Sequence, residues 1–137
     1  MIKQLITAIA AACFLSAGGS GAMHMPKDDS QRDYSNVTSR EIAERLVAQG
    51  KLHKILLFPA EFGGEDKPEN ITYVPSGIPE IKDQLTGTLI RFVKDGLIDN
   101  LRVEPEYKGH SFVPARIRIF ATHKTKTGSF NPVIEIW

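Results

Sequence analysis

The stretch SGIPEIKDQLTGTLIRFVKDG, residues 76–96, decides how the rest of the chain is arranged. Its apolar residues Ile78, Ile81, Leu85, Leu89, Phe92 and Val93 recur at spacings of three, four and one, which predicts one long amphipathic helix from about Ile78 to Asp95. Pro79 falls in the first turn, where its missing N–H costs nothing, and Gly96 supplies the stop. Gly87 interrupts the middle, weakens the helix locally and admits the close approach of another backbone.

Downstream of this helix the period changes from 3.6 to 2. Leu101, Val103 and Pro105 alternate with Arg102, Glu104 and Glu106; Ala115, Ile117, Ile119 and Ala121 alternate with Arg116 and Arg118; Ile134 and Ile136 flank Glu135. Three antiparallel strands are expected, with turns at Lys108–Val113 and Lys124–Gly128, and with outward Arg and Glu side chains paired across strands. Upstream, Ile55-Leu56-Leu57-Phe58 is an apolar run of strand length stopped by Pro59, and Asn70 to Val74 reads as a second short strand before Pro75. Between them, Phe62-Gly63-Gly64-Glu65-Asp66 reads as a tight turn in an exposed loop. Glycines beside acids also suit a cation, a less common use of such a loop.

A further helix is expected from Thr38, with Thr38 and Glu41 as a capping box, Val37 and Ile42 as a hydrophobic staple, and Gly50 at its end. The predicted fold class is therefore α+β, a small antiparallel sheet packed on one long amphipathic helix plus an N-terminal helix.

At 137 residues, 42% hydrophobic and 24% charged, the chain has material for a single domain of modest core. Residues 1–22 read as a cleaved signal peptide. Lys3 is the positive start, Leu5 to Leu15 an uncharged apolar run too short for a membrane span, and Ser20-Gly21-Ala22 the small residues of a cleavage site. The single cysteine, Cys13, lies within this segment, so the exported chain has no thiol for a disulfide or a Cys metal site; lipid attachment at Cys13 is the rival reading. Residues 23–37 are polar and read as a flexible tether, leaving 38–137 as the domain. A periplasmic or secreted protein with no transmembrane span after cleavage is the expectation. Loss of residues 1–22 removes Lys3 and no acid, leaving 16 basic residues against 16 acidic ones. Formal neutrality weighs against a protein that grips nucleic acid through its phosphates.

Phe62-Gly63-Gly64, then Asn70-Ile71, Pro75, the long helix and Arg102-Val103-Glu104-Pro105-Glu106-Tyr107-Lys108-Gly109 before an Ile/Arg strand form a series of recognisable type. Over residues 52–136 it resembles the second half of DNA/RNA non-specific endonucleases of the ββα-metal class, above all their bacterial secreted and toxin-domain members. The resemblance implies a small sheet, a metal-holding helix and one hydrated divalent cation such as Mg²⁺. In that family a histidine, the general base, ends an Asp-Arg-Gly-His box six residues before the Phe. His53 to Leu56 lie under the box here, which puts Leu56 at the base. The family's metal-holding asparagine falls on Pro79 or Glu80. Leucine cannot take a proton from water and proline cannot ligate a cation.

Two expectations follow from different classes. One is an exported, non-catalytic binding protein of nuclease-like fold, serving an unidentified protein partner as an immunity protein, inhibitor or accessory module of a secreted toxin system. The other is a divergent metal-dependent endonuclease acting on nucleic acid, with His53, three residues from the expected base, as catalytic residue and Glu80 as oxygen ligand for the cation. Each residue also has a plain structural role, His53 at a strand edge and Glu80 as a first-turn carboxylate at the positive helix end.

Overall fold

A computed structural model of the protein describes residues 3–6, 9–11 and 32–137. The long helix, α2, spans Ile78–Lys94, close to the sequence expectation. Gly77 caps it with φ 93°, a left-handed conformation that glycine adopts without penalty, and Gly96 follows its end at φ 73°. The buried stripe is shifted from the predicted one: Ile78, Lys82, Thr86 and Leu89 face inward, with Leu85, Phe92 and Val93 half-buried beside them, whereas Ile81 is 43% exposed. A separation of eleven residues between Ile78 and Leu89 is three helical turns, and this places 82 and 86 on the line joining them. Hydrophobicity selected Ile81; geometry selects Lys82. Gly87 also departs from expectation, because a Cβ there would meet nothing within 4 Å, so no backbone among the described residues crosses at it.

The N-terminal helix, α1, spans Arg40–Ala48. Its cap is Ser39, whose Oγ accepts from the Ile42 N–H at 3.2 Å, one residue later than the predicted Thr38, so Glu41 is not placed to close a capping box. The packed domain reaches further back than residue 38. Val37 is buried in the core, its carbonyl accepts from the Phe112 N–H at 2.7 Å, and the Tyr34 ring meets Trp137 edge-on at 5.7 Å. Among the described residues of the segment read as a tether, apolar Val37 and aromatic Tyr34 have the surface to bury.

Strand β3, His53–Leu56, pairs antiparallel with β4, Ile71–Val74, from His53 opposite Val74 to Leu56 opposite Ile71. The connection between them, residues 57–70, is closed from inside by Asn70. This buried side chain accepts from the Phe58 N–H at 2.7 Å and donates to the Phe58 carbonyl at 3.1 Å and to the Glu65 carbonyl at 2.9 Å. The amide thus acts as one more rung of backbone pairing beyond the ladder, satisfying groups that burial would otherwise leave unbonded. Gly64 makes the fit possible: a Cβ there would stand 1.9 Å from the Phe58 carbonyl oxygen. Phe62-Gly63-Gly64 and Asn70 are therefore two halves of one loop clamp.

The main sheet centres on β5, Asn100–Lys108, and β6, Pro114–Thr122, antiparallel from Asn100 opposite Thr122 with a bulge between Glu106 and Tyr107. Along the far edge of β6 run β7, Ser129–Phe130, and β8, Val133–Glu135, in succession. The other edge of β5 carries two parallel segments, β1, Lys3–Ile6, and β2, Ile9–Ala11. These lie inside the segment read as a signal peptide; the cleavage-site residues 20–22, Cys13 and His24 lie outside the described residues. Leu101, Val103, Ile117, Ile119, Ala121 and Ile134 form the inner face and join Leu89, Leu57, Phe58 and Val74 in one core. Phe92 of α2 meets Phe130 of β7 edge-on at 5.2 Å. The architecture is α+β, with two α-helices among the described residues and antiparallel pairing throughout β3–β8.

On the opposite face Glu106 receives both Arg116, at 2.9 Å, and Arg118, and Arg116 also reaches Glu135 at 3.1 Å, the cross-strand pairing the alternation predicts. Burial alone would raise the Glu106 carboxyl, but the hydrogen bonds from Arg118 and Arg116 outweigh it and hold the group below its usual range. No helix among the described residues is long and apolar enough to cross a membrane.

Candidate functional site

The candidates from the sequence are placed by β3 and by the first turn of α2. His53 begins β3, half-buried, with Nε2 3.1 Å from the Ser76 hydroxyl in the loop leading to α2. Leu56, at the general-base position of the resemblance, ends the same strand. Glu80 sits exposed at the start of α2. Among the described residues no three His, Cys, Asp or Glu side chains converge into a group able to hold a metal ion. In the acidic loop Glu65 is paired with Lys67 at 2.7 Å. His123 lies 3.7 Å from Asp99, and its Nδ1 accepts from the Thr125 N–H, so both of its ring nitrogens have local partners. His110 is at the hairpin end of the main sheet, exposed.

Two concave sites stand out instead. The larger is a groove of about 390 Å³ between the start of α1, the loop clamp and the β5–β6 hairpin. Leu57, Ile71, Tyr73, Tyr107 and Phe112 form its apolar walls, with Arg40, Glu69 and His110 also lining it. Period-2 alternation and chain pairing bring these together: Tyr73 from β4 and Tyr107 from β5 are far apart in sequence. The hydroxyls are occupied, Tyr73 donating to Glu44 at 2.6 Å and Tyr107 lying 3.0 Å from the Thr72 hydroxyl. Burial, aided by the bond to Glu44, pushes Tyr73 up to about 12, and burial raises Tyr107 as well. Both phenols stay neutral at physiological pH. They offer shape and hydrogen bonds, not proton transfer.

The smaller site is a cleft of about 230 Å³ between β3, the 3₁₀ turn Ala60–Phe62 and α2. Ile55, Leu56, Pro59 and Pro79 give it apolar walls, and Lys82 lines it from α2. Lys82 is only 6% exposed. Its ammonium has no hydrogen bond or ion pair with any described residue; Glu61 and Asp83 act on it only through space. Burial lowers its pKa from 10.5 to about 8, against the smaller opposing pull of those two carboxylates.

Sequence reasoning missed both sites. The groove left no local signature, because its walls come from four separate segments. Lys82 did leave one: a charged residue four positions after Ile78, on the line to Leu89, is out of place on an apolar face.

No protein-family model, curated protein or solved structure matches the chain.

Proposed function

We propose that the protein works by binding, not by catalysis, as an exported module of nuclease-like fold that holds a protein partner in the groove between Tyr73, Tyr107 and Phe112. The observation that carries this reading is the groove's make-up: aromatic and aliphatic walls, phenols locked by hydrogen bonds and held neutral, and Arg40 and Glu69 of opposite sign beside them. Such a surface suits an apolar anchor side chain carried on an extended segment, with charges of both signs available to set its register. The partner class implied by the sequence resemblance is a secreted toxin, with this chain as its immunity protein, inhibitor or accessory module.

The test has two arms. A photo-crosslinking residue at Phe112, introduced into the full chain in cells that make it natively, should form a defined protein adduct. The same residue at exposed Gln84 should not. Absence of an adduct at 112, or the same adduct from both positions, would rule out the groove. Purified protein incubated with plasmid DNA or total RNA and Mg²⁺ should give no cleavage above background. Chelator-sensitive cleavage lost in His53→Ala would replace the binding reading with a divergent nuclease.

A further inference from the structure

We infer that the cleft beneath Lys82 is a second, separate ligand site, built for a small monocarboxylate with a short apolar body. The Lys82 residue is more than nine-tenths buried, its ammonium is not among the fully enclosed side-chain nitrogens, and no acceptor on the described chain bonds to it. A buried charge without a partner is costly, and folded proteins retain one mainly where something else completes it. The position offers no structural compensation, since α2 would place any apolar side chain there equally well.

The class of ligand follows from the lining. An ammonium presents three donors and no acceptor, so the ligand must bring acceptors and negative charge. The walls contributed by Ile55, Leu56, Pro59, Ala60 and Pro79 are apolar and suit a hydrocarbon body beside the carboxylate. Glu61 from the 3₁₀ turn and Asp83 from α2 itself are the charged groups around Lys82; β3 contributes none to the cleft. Two carboxylates close by disfavour a doubly charged phosphate and leave room for a single negative charge. A volume of about 230 Å³ is on the scale of one aromatic or short aliphatic acid. Thr86, the other polar side chain of α2 in the cleft, already donates to the Lys82 carbonyl at 2.9 Å, which leaves the ammonium as the anchoring group.

Benzoate and butyrate are suitable probes, titrated into the full chain at pH 7 and followed by calorimetry and by amide shifts in ¹H–¹⁵N spectra. Saturable binding is expected, with the shifts concentrated at Leu56, Ala60 and Thr86. Benzamide, equal in shape to benzoate but uncharged, and inorganic phosphate should bind much more weakly. Lys82→Met should weaken benzoate by about 30-fold or more, the loss typical of removing one partner of a buried charge pair, while Lys82→Arg should retain part of the affinity. Unfolding curves of the variants establish that each is folded. The proposal is overturned if benzoate fails to saturate at millimolar concentration, if a folded Lys82→Met binds it as well as the wild type, or if phosphate or benzamide binds equally tightly.

Discussion

Lys82→Met should make the protein more stable, and the gain should depend on pH in one direction. In the unfolded chain the amine keeps its proton up to its ordinary value of 10.5, whereas in the fold it releases it at about 8. That gap corresponds to about 3 kcal/mol of preference for the neutral form, at about 1.4 kcal/mol per tenfold. Below pH 8 the folded protein carries this penalty in full. Between 8 and 10.5 the unfolded state binds more protons than the native one, so wild-type stability rises with pH. From pH 8 to pH 10 the rise is about 2 kcal/mol. Methionine keeps the length of the side chain and removes the charge; replacing buried ionic groups by apolar ones of like volume is commonly neutral or stabilising by about 1–4 kcal/mol. At pH 7 we expect Lys82→Met to be the more stable by about 1–3 kcal/mol, with the advantage shrinking as pH 10 is approached. Urea unfolding followed through Trp137, the one tryptophan, gives both free energies with m as the internal check. Measurements should stop at pH 10, because Tyr73, pushed up to about 12 in the fold, makes a contribution that is lost between 10 and 12 and runs the opposite way. Parallel wild-type and variant curves from pH 8 to 10, or a less stable Lys82→Met, would refute the burial of an unpaired ammonium.

Leu89, fully buried on the inner stripe of α2, should cost about 2–5 kcal/mol when truncated in Leu89→Ala, read as a shift in the urea midpoint; a change under about 0.5 kcal/mol would mean that the stripe faces solvent. Gly64→Ala should cost about 1–3 kcal/mol or more, since the new methyl must displace the Phe58 carbonyl that Asn70 holds, and near-wild-type melting would contradict the loop clamp. Gly87→Ala, by contrast, should stabilise by about 0.5–1 kcal/mol, because the site is exposed, helical and open around the added methyl. A destabilised Gly87→Ala would show that another backbone does approach there.

Much of the fold was legible because it rests on periodicity. The ends of α2 follow from Gly77, Pro79 and Gly96, and the alternation along β5 and β6 predicted both the inner face and the Arg–Glu pairing outside it. Errors occurred where two neighbouring residues competed for one role. Ser39 and Thr38 both make good caps, and only the path of the chain into α1 chose Ser39. Ile81 and Lys82 both lie near the inner stripe, and the apolar one was the natural choice until helix geometry fixed the line from Ile78 to Leu89.

The sequence by itself determined the element types and their order from α1 to β6, because propensity, capping and hydrophobic period act over a few residues and need no distant partner. Only the tertiary structure decided what those elements enclose. The Asn70 amide finds the Phe58 backbone across twelve residues, Tyr107 finds Thr72 across thirty-five, and Lys82 comes to share one cleft with β3 and the turn at Ala60. Such pairings depend on how strands and loops close in space, and loop closure is nearly indifferent to the spacing of residues along the chain. For that reason the two concave sites, on which the functional reading rests, left almost no mark in the order of the amino acids.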